Sequence, residues 1–389
     1  MSDIIESKLE VKINIGDTIL DHYKILKQIG KGGMDSTIYL VEDINFQNNS
    51  LSSKYFALKI ITRTKDTTDE SWTRYYDECV TCTRISQCEN VVKTYDIKEI
   101  VKGQNIAILM EYVDGYSLRE VIDREGLLSI QESLFLFRKI LIALKDLHSF
   151  SSKVIHRDLK PENILLSKDR TNLKIIDFGI STVVYSSFAK DNEKETKEFI
   201  TNESTLYGTY PYISPSLYKA YAPNVPVDQK FNVINEQCDF FSIGIILYEM
   251  LTGNKPFVGD PNKQSTILLP TKYDLPPLSK NNPKIPKALE NVIFKCIASK
   301  EEDLCYRYKD VEEIIQDIDN IIKYPDKAKI APLIKPYSKR TTQASFFDVE
   351  NEKTKLKPYN LLWLYLLITF LVVVLVVVVI TLFIFVKLK

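Results

Sequence analysis

The alternation of apolar and polar positions predicts strands first and helices afterwards. Tyr23-Lys24-Ile25-Leu26-Lys27-Gln28-Ile29-Gly30 has the two-residue period of a strand and stops on glycine. Tyr55-Phe56-Ala57-Leu58-Lys59-Ile60-Ile61 is an apolar strand broken by one lysine, a residue that is costly to bury unless it is paired. Arg74 to Val80 is a helical stretch, and Ile106 to Val113 is a further apolar run. Helical spacing then takes over in Ser133 to Phe150, with Leu134, Phe137, Ile140, Leu141, Leu144 and Leu147 on one stripe. His148 lies in that stripe and reads as a core histidine. Ile164-Leu165-Leu166 and Leu173-Lys174-Ile175-Ile176 flank a polar turn and predict a hairpin. Cys238 to Gly253 is apolar nearly all round, as a fully buried helix should be. Leu289, Val292, Ile293, Cys296 and Ile297 form another helical stripe.

The last apolar run, Leu361 to Val386, carries no charged residue. As a helix it extends roughly 39 Å, enough to cross a hydrocarbon core of about 30 Å with some tilt. It predicts a transmembrane helix over 360–386, with Trp363 and Tyr365 near one interface and a short tail, 387–389, beyond. Residues 325–359 are polar and proline-bearing, with scattered lysines, and predict a basic juxtamembrane tether. A basic tether favours the cytoplasmic side for what precedes it, leaving the tail outside.

Composition narrows the picture further. The 389 residues carry no net charge, so no global field draws in nucleic acid, and no nucleic-acid partner is expected. Cys79-x-x-Cys82 invites a metal or redox reading, but there is no second such pair and no histidine nearby in sequence. The six cysteines are expected as reduced thiols in a cytosolic domain. The polar N-terminus is no signal peptide.

The chemistry concentrates between Val154 and Gly179, which reads V-I-H-R-D-L-K-P-E-N-I-L-L, a polar turn, and L-K-I-I-D-F-G. Phosphoryl transfer needs a carboxylate to orient the attacking hydroxyl and accept its proton, and acceptor oxygens to hold Mg²⁺ on the phosphates. Asp158 fits the first role; Asn163 and Asp177 fit the second. The predicted hairpin would hold them together.

This stretch resembles the catalytic core of protein kinases, and Lys160, two residues after Asp158, marks the serine/threonine kind. Together with G-K-G-G-M, Y-I-S-P and E-M-L-T-G-x-x-P-F, the chain is most similar to bacterial membrane-anchored Hanks-type kinases. The resemblance implies an α+β bilobal fold, with a small β-rich lobe over 21–113, a large helical lobe over 114–324 and a lead-in over 1–20. It implies ATP with Mg²⁺, or Mn²⁺ in its place, protein substrates bearing Ser or Thr, and a homodimer for trans-autophosphorylation.

Residue by residue, the resemblance puts Gly30, Lys31, Gly32 and Gly33 in a phosphate-covering loop, with Ile29 and Ile38 beside the nucleotide. Lys59 would hold the α- and β-phosphates, steadied by Glu78; Met110 would guard the pocket, and Glu111 and Val113 would form the hinge. Ala57 and Leu165 complete the nucleotide-binding set, and Lys160 would steady the γ-phosphate. His156 is expected to be architectural, Arg157 to pair with a phosphorylated segment, and Asp239 to tie its helix to the catalytic loop. Thr201, Ser204 and Thr205 are candidate autophosphorylation sites, and Thr209 would contact Asp158 and Lys160.

Two departures stand out. The loop has Asp35 near the place of a third glycine. Ser214-Pro215-Ser216 replaces the family's Ala-Pro-Glu, which deprives Arg307 of its carboxylate partner and puts large-lobe rigidity in doubt. The membrane kinases resembled here carry an extracellular region after their membrane helix; with only Lys387-Leu388-Lys389 following, control is expected from inside or from helix association. The rival readings are a membrane-tethered pseudokinase and a small-molecule phosphotransferase. Retention of Lys59, Glu78, Asp158, Asn163 and Asp177 opposes the first; Lys160, Thr209 and a long segment after Asp177 oppose the second.

Overall fold

The structure is a computed structural model, described for residues 13–31, 36–47, 54–63, 67, 69, 72, 73, 76, 79, 83–151, 153–178, 210–220, 235–257, 268–278 and 282–336. The chain divides into one unit over 1–339 and a second over 340–389, which lies outside the described residues. No helix among the described residues is long and apolar enough to cross a membrane, and the expected span over 360–386 falls outside them.

Among the described residues, six strands form the sheet of the first lobe: β1 (Thr18–Ile19), β2 (Tyr23–Lys31), β3 (Ser36–Asp43), β4 (Tyr55–Thr62), β5 (Thr94–Val101) and β6 (Asn105–Glu111). They lie in the order β1-β2-β3-β4-β6-β5, every neighbouring pair antiparallel. β4 is central and apolar because both its faces are covered. Phe56, Leu58 and Ile60 join Ile25, Val41, Ala107 and Leu109 on one face. Ile61 joins Trp72, Cys79, Ile97, Ile106 and Ile108 on the other. Side chains alternate along a strand, so Ala57 and Lys59 share the face of Ile61. Directly opposed residues project to the same side. The register pairs Ala57 with Met110, and Lys59 with Ile38 and Ile108, which gathers Ile38, Ala57, Lys59 and Met110 on one face.

The second lobe is helical around a small sheet of β7 (Gly115–Ser117), β8 (Ile164–Ser167) and β9 (Leu173–Ile175). β8 and β9 are the expected hairpin, with Leu165 opposite Lys174. Gly115 is required where β7 crosses β8: a Cβ there would fall 1.7 Å from the Leu166 carbonyl oxygen. The helices are α1 (Leu118–Glu125), α2 (Ile130–Ser149), α3 (Pro215–Ala220), α4 (Gln237–Thr252), α5 (Leu269–Lys272), α6 (Lys287–Ile297), α7 (Val311–Lys323) and α8 (Pro325–Ile330). Side-chain caps start three of them. Ser117 accepts from the Glu120 N–H while Glu120 reaches back, and Ser129 and Asp310 cap α2 and α7. Every residue of α4 from Cys238 to Thr252 is buried, in keeping with its unbroken apolar pattern. Gly244 lets α6 approach; a Cβ there would sit 2.6 Å from Ile297 Cγ2 and 2.7 Å from Cys296 Cβ.

The tether expected from residue 325 begins later. Residues 325–330 form α8, with Ala328 buried, and residues 331–336 are strapped to the lobe. The Asn291 amide donates to the Pro332 carbonyl at 2.8 Å and accepts from the Ile334 N–H at 3.0 Å. The Lys335 ammonium meets Asp274 at 2.7 Å and Asp303 at 3.1 Å, and Lys300 meets Asp274 at 3.1 Å. Lys335 is therefore paired with carboxylates of the lobe, whereas Asp326, Lys327 and Lys329 face water. Cys79, Cys88, Cys238, Cys296 and Cys305 are free thiols, the first four buried; Cys82 lies outside the described residues.

Candidate functional site

The loop from His156 to Asn163 is pinned from beneath by Asp239, fully buried near the start of α4. One Asp239 oxygen accepts the Arg157 N–H at 2.9 Å; the other accepts the His156 N–H at 3.0 Å and His148 Nε2–H at 2.9 Å. Burial pushes the Asp239 carboxyl up, but these donors outweigh it and hold the pKa below the usual carboxylate range. Arg157 sits at φ +64°, a left-handed conformation that costs a non-glycine residue about 1–2 kcal/mol. Its N–H bond to Asp239 fixes that turn and sends the chain into Asp158. His148 and Asp239 thus take the structural roles expected of them.

The Asp158 carboxylate accepts from Lys160 Nζ at 3.2 and 2.8 Å, and from Asn163 Nδ2 at 3.0 Å. A carboxylate offers about four lone-pair positions; the described residues use three, which leaves one on Oδ1 for an incoming hydroxyl. Asn163 Nδ2 also donates to the Asp158 carbonyl at 2.8 Å. Both amide hydrogens are therefore engaged, and Asn163 Oδ1 remains an acceptor.

His156 joins this loop to the end of β9. Its Nδ1 accepts the Asp158 N–H at 3.3 Å, so Nε2 carries the hydrogen and donates to the Ile176 carbonyl at 3.2 Å. The Ile176 N–H donates to the Asn163 carbonyl at 3.0 Å. Held on both sides, the chain turns through Asp177 at φ +58°. Asp177 forms an ion pair and hydrogen bond with Lys59 of β4. Burial raises the Asp177 carboxyl, while Lys59, His156 and Lys160 pull it further down, to a pKa below the ordinary range.

Lys59 is buried, as its strand position requires, and its partner among the described residues is Asp177. Glu78, the partner expected, lies outside them, as do Gly32, Gly33, Asp35, Gly179, Thr201, Ser204, Thr205 and Thr209. Ile29 is exposed and Lys31 ends β2, while Gly30 stands opposite Ile38. Glu111, at the end of β6, pairs with Lys174 of β9 at 3.1 Å, a link between the lobes at the expected hinge. Leu165 and Val113 are half-buried on the second lobe's side of that link.

The set of donors suits Mg²⁺, which takes hard oxygen ligands from one or two carboxylates and otherwise from water and phosphates. Asn163 Oδ1 and the Asp177 carboxylate are such oxygens. The Lys59 ammonium beside them would face the same phosphates.

The sequence pattern of the protein kinase domain family matches residues 23–307. A putative serine/threonine-protein kinase of Mycoplasma genitalium is 36% identical over 330 residues, spanning 80% of this chain and 83% of its own. A putative serine/threonine-protein kinase of Mycoplasma pneumoniae is 34% identical over 332 residues, spanning 80% and 82%. The chain belongs to the serine/threonine protein kinases. The serine/threonine-protein kinase PrkC of Bacillus subtilis is 31% identical over 304 residues, 78% of this chain but 41% of its own length.

This kinase also holds a buried network that the sequence reading missed. Arg119 of α1 donates to the Tyr212 hydroxyl and to Glu249 of α4, both at 2.8 Å, and the Tyr212 hydroxyl donates to Glu249 at 2.5 Å. Arg119 Nε lies 3.3 Å from Glu162, which follows Lys160 in the catalytic loop. The only signal was a lone glutamate inside the apolar run of α4, a residue that must be paired if buried.

Arg307 behaves as the loss of its partner implies. It is half-buried, its Nε is shielded from water with no acceptor, and no carboxylate pairs with it among the described residues. Burial lowers its pKa. Ser216, in the place of the family's glutamate, shares a hydrogen bond of 3.1 Å with Ser214.

Proposed function

We propose that this kinase transfers the γ-phosphoryl group of ATP to Ser and Thr hydroxyls of proteins, its own chain included, from the inner face of a membrane that its C-terminal segment spans. The observation that carries the reading is the convergence of Asp158, Lys160, Asn163 and Asp177, with Lys59 arriving from the other lobe. The open lone pair of Asp158 receives the substrate hydroxyl and its proton. Lys160 steadies the transferred group, and Lys59 exchanges Asp177 for the α- and β-phosphates. Mg²⁺ held by Asn163 and Asp177 would neutralise charge on the phosphates, and Mn²⁺ has the same ligand chemistry. Ile38, Ala57, Met110 and Leu165 supply apolar contacts for the base, and the backbone of Glu111 and Val113 its polar edge.

The test is incubation of the full chain, in detergent, with labelled ATP, Mg²⁺ and a generic protein substrate, beside Asp158→Ala. Label should pass to substrate only with the parent protein; equal labelling by both would overturn the assignment of Asp158, and none by either would overturn the activity. Autophosphorylation between two copies predicts that the parent labels Asp158→Ala when the two are mixed. Anchoring rests on the uncharged run Leu361 to Val386. It predicts that alkaline carbonate leaves the full chain in the membrane pellet and releases a chain ending at residue 359.

A further inference from the structure

The end of α7 and the helix α8 present an unusual surface. Ile322, Tyr324 and Ile330 are exposed, and Ile330, at 80%, is the most exposed large hydrophobic among the described residues. Lys323, Lys327 and Lys329 lie between them and are exposed as well. The ammonium groups of Lys323 and Lys327 sit 5.1 and 5.0 Å from the centre of the Tyr324 ring. Asp326 is the sole acidic residue from 321 to 336, and it faces water, 3.5 Å from Lys329. An aromatic ring flanked by lysines beside bare aliphatic side chains is the chemistry of a membrane–water interface. There the rings sit at headgroup level and the lysine stems lie on apolar surface with their charges among phosphates.

The chain's course adds a second argument. Lys335 and Asn291 fasten residues 332–335 to the same lobe. The route toward the apolar run at Leu361 therefore starts beside α8. Only the 24 residues 337–360 separate that point from the apolar run in sequence.

We infer that the surface formed by Ile322, Lys323, Tyr324, Lys327, Lys329 and Ile330 docks on an anionic bilayer. The inference rests on the membrane-anchored reading above. Each basic side chain near an anionic leaflet adds about a factor of five in affinity. Replacing three lysines should weaken the contact on the order of a hundredfold.

The experiment places the full chain in vesicles of phosphatidylcholine alone and of phosphatidylcholine mixed with phosphatidylglycerol, and follows amide hydrogen exchange over residues 319–331. Docking predicts slower exchange only with phosphatidylglycerol, lost at high salt and lost in the K323Q/K327Q/K329Q triple variant. Equal exchange in the two vesicle types overturns it. Ile330→Ser, at a side chain that packs on little, serves as a second variant if the triple one unfolds; it should weaken the protection, and unchanged protection counts against the proposal. Carbonate extraction of the same vesicles reads the anchor separately. If the chain is extracted, flotation of that chain with the two vesicle types decides: flotation with phosphatidylglycerol alone sustains the docking surface without the anchor, and flotation with neither overturns both.

Discussion

Asp239→Ala tests whether the catalytic loop is held from below. Asp239 is fully buried and receives three hydrogen bonds, from the Arg157 and His156 backbone N–H groups and from His148. Truncation strands three buried donors, each costing about 1–3 kcal/mol, and removing one partner of a buried charged cluster costs about 3–5 kcal/mol in total. Domains of this kind have roughly 5–15 kcal/mol to lose, so the variant should still fold, with its denaturation midpoint clearly lowered. Arg157 at φ +64° loses the bond that fixes it, and Asp158 follows. A displacement of about 1 Å at a reacting group is worth about a hundredfold in rate, so kcat should fall by that order. Asp239→Asn keeps one acceptor oxygen and should cost less than the alanine. The folded-state pKa is depressed, so the carboxylate's contribution is present above the unfolded value of about 3.9 and is lost as pH falls through the lower folded value. The gap between parent and variant should therefore hold steady from about pH 5 upward and close only in stronger acid. A loss below about 1 kcal/mol together with an unchanged kcat would refute the argument.

Lys59→Met should lower phosphoryl transfer by about 10²–10³-fold and raise the Asp177 pKa toward its ordinary value, because Lys59 is its main countercharge; NMR titration of the labelled carboxyl reads the second effect. Arg307→Met should be neutral or stabilising by about 1 kcal/mol in thermal melts, since it removes a half-buried guanidinium whose shielded Nε–H lacks an acceptor among the described residues; a loss of more than about 1 kcal/mol would mean a partner exists. Gly244→Ala gains roughly 1 kcal/mol of helix propensity but pushes a methyl into Cys296 and Ile297, a clash of about 1–3 kcal/mol; denaturation should show a net loss. Lys335→Met should destabilise by about 1–3 kcal/mol at neutral pH, and because burial lowers but Asp274 and Asp303 raise its folded pKa to a net increase, that difference should fade only as pH climbs through the raised value.

The elements that were legible in sequence carry one period without competition. β4 and α4 were plain because each is buried on all sides, and the β8–β9 hairpin because two short apolar runs flank a polar turn. The site was legible because its chemistry needs fixed residue types at fixed spacing around Asp158. What stayed hidden depends on charges meeting across long separations. Lys335 reads as polar tether in sequence and is half-buried against the buried Asp274 carboxylate in the fold, which is why the lobe runs past residue 324. Arg119, Tyr212 and Glu249 come from three distant stretches and carry no local pattern. The left-handed turns at Arg157 and Asp177 were also hidden, since no glycine marks them.

The two positive-φ residues of the site, Arg157 and Asp177, show how it is assembled. Arg157 is fixed by Asp239 from α4, and Asp177 is fixed by Lys59 from β4, so each lobe clamps one of the two turns that present a carboxylate. His156 couples the clamps, since its single imidazole accepts from the Asp158 N–H and donates to the carbonyl just before Asp177. A strained turn persists only where its surroundings over-determine it, and here three side chains do so. The departure at Ser216 touches none of them: Ser216 bonds Ser214, and Arg307 takes no part in the hydrogen bonds of the catalytic loop. Loss of that ion pair therefore falls on the packing of α3 and the start of α4. It should appear as lower stability with an intact catalytic step.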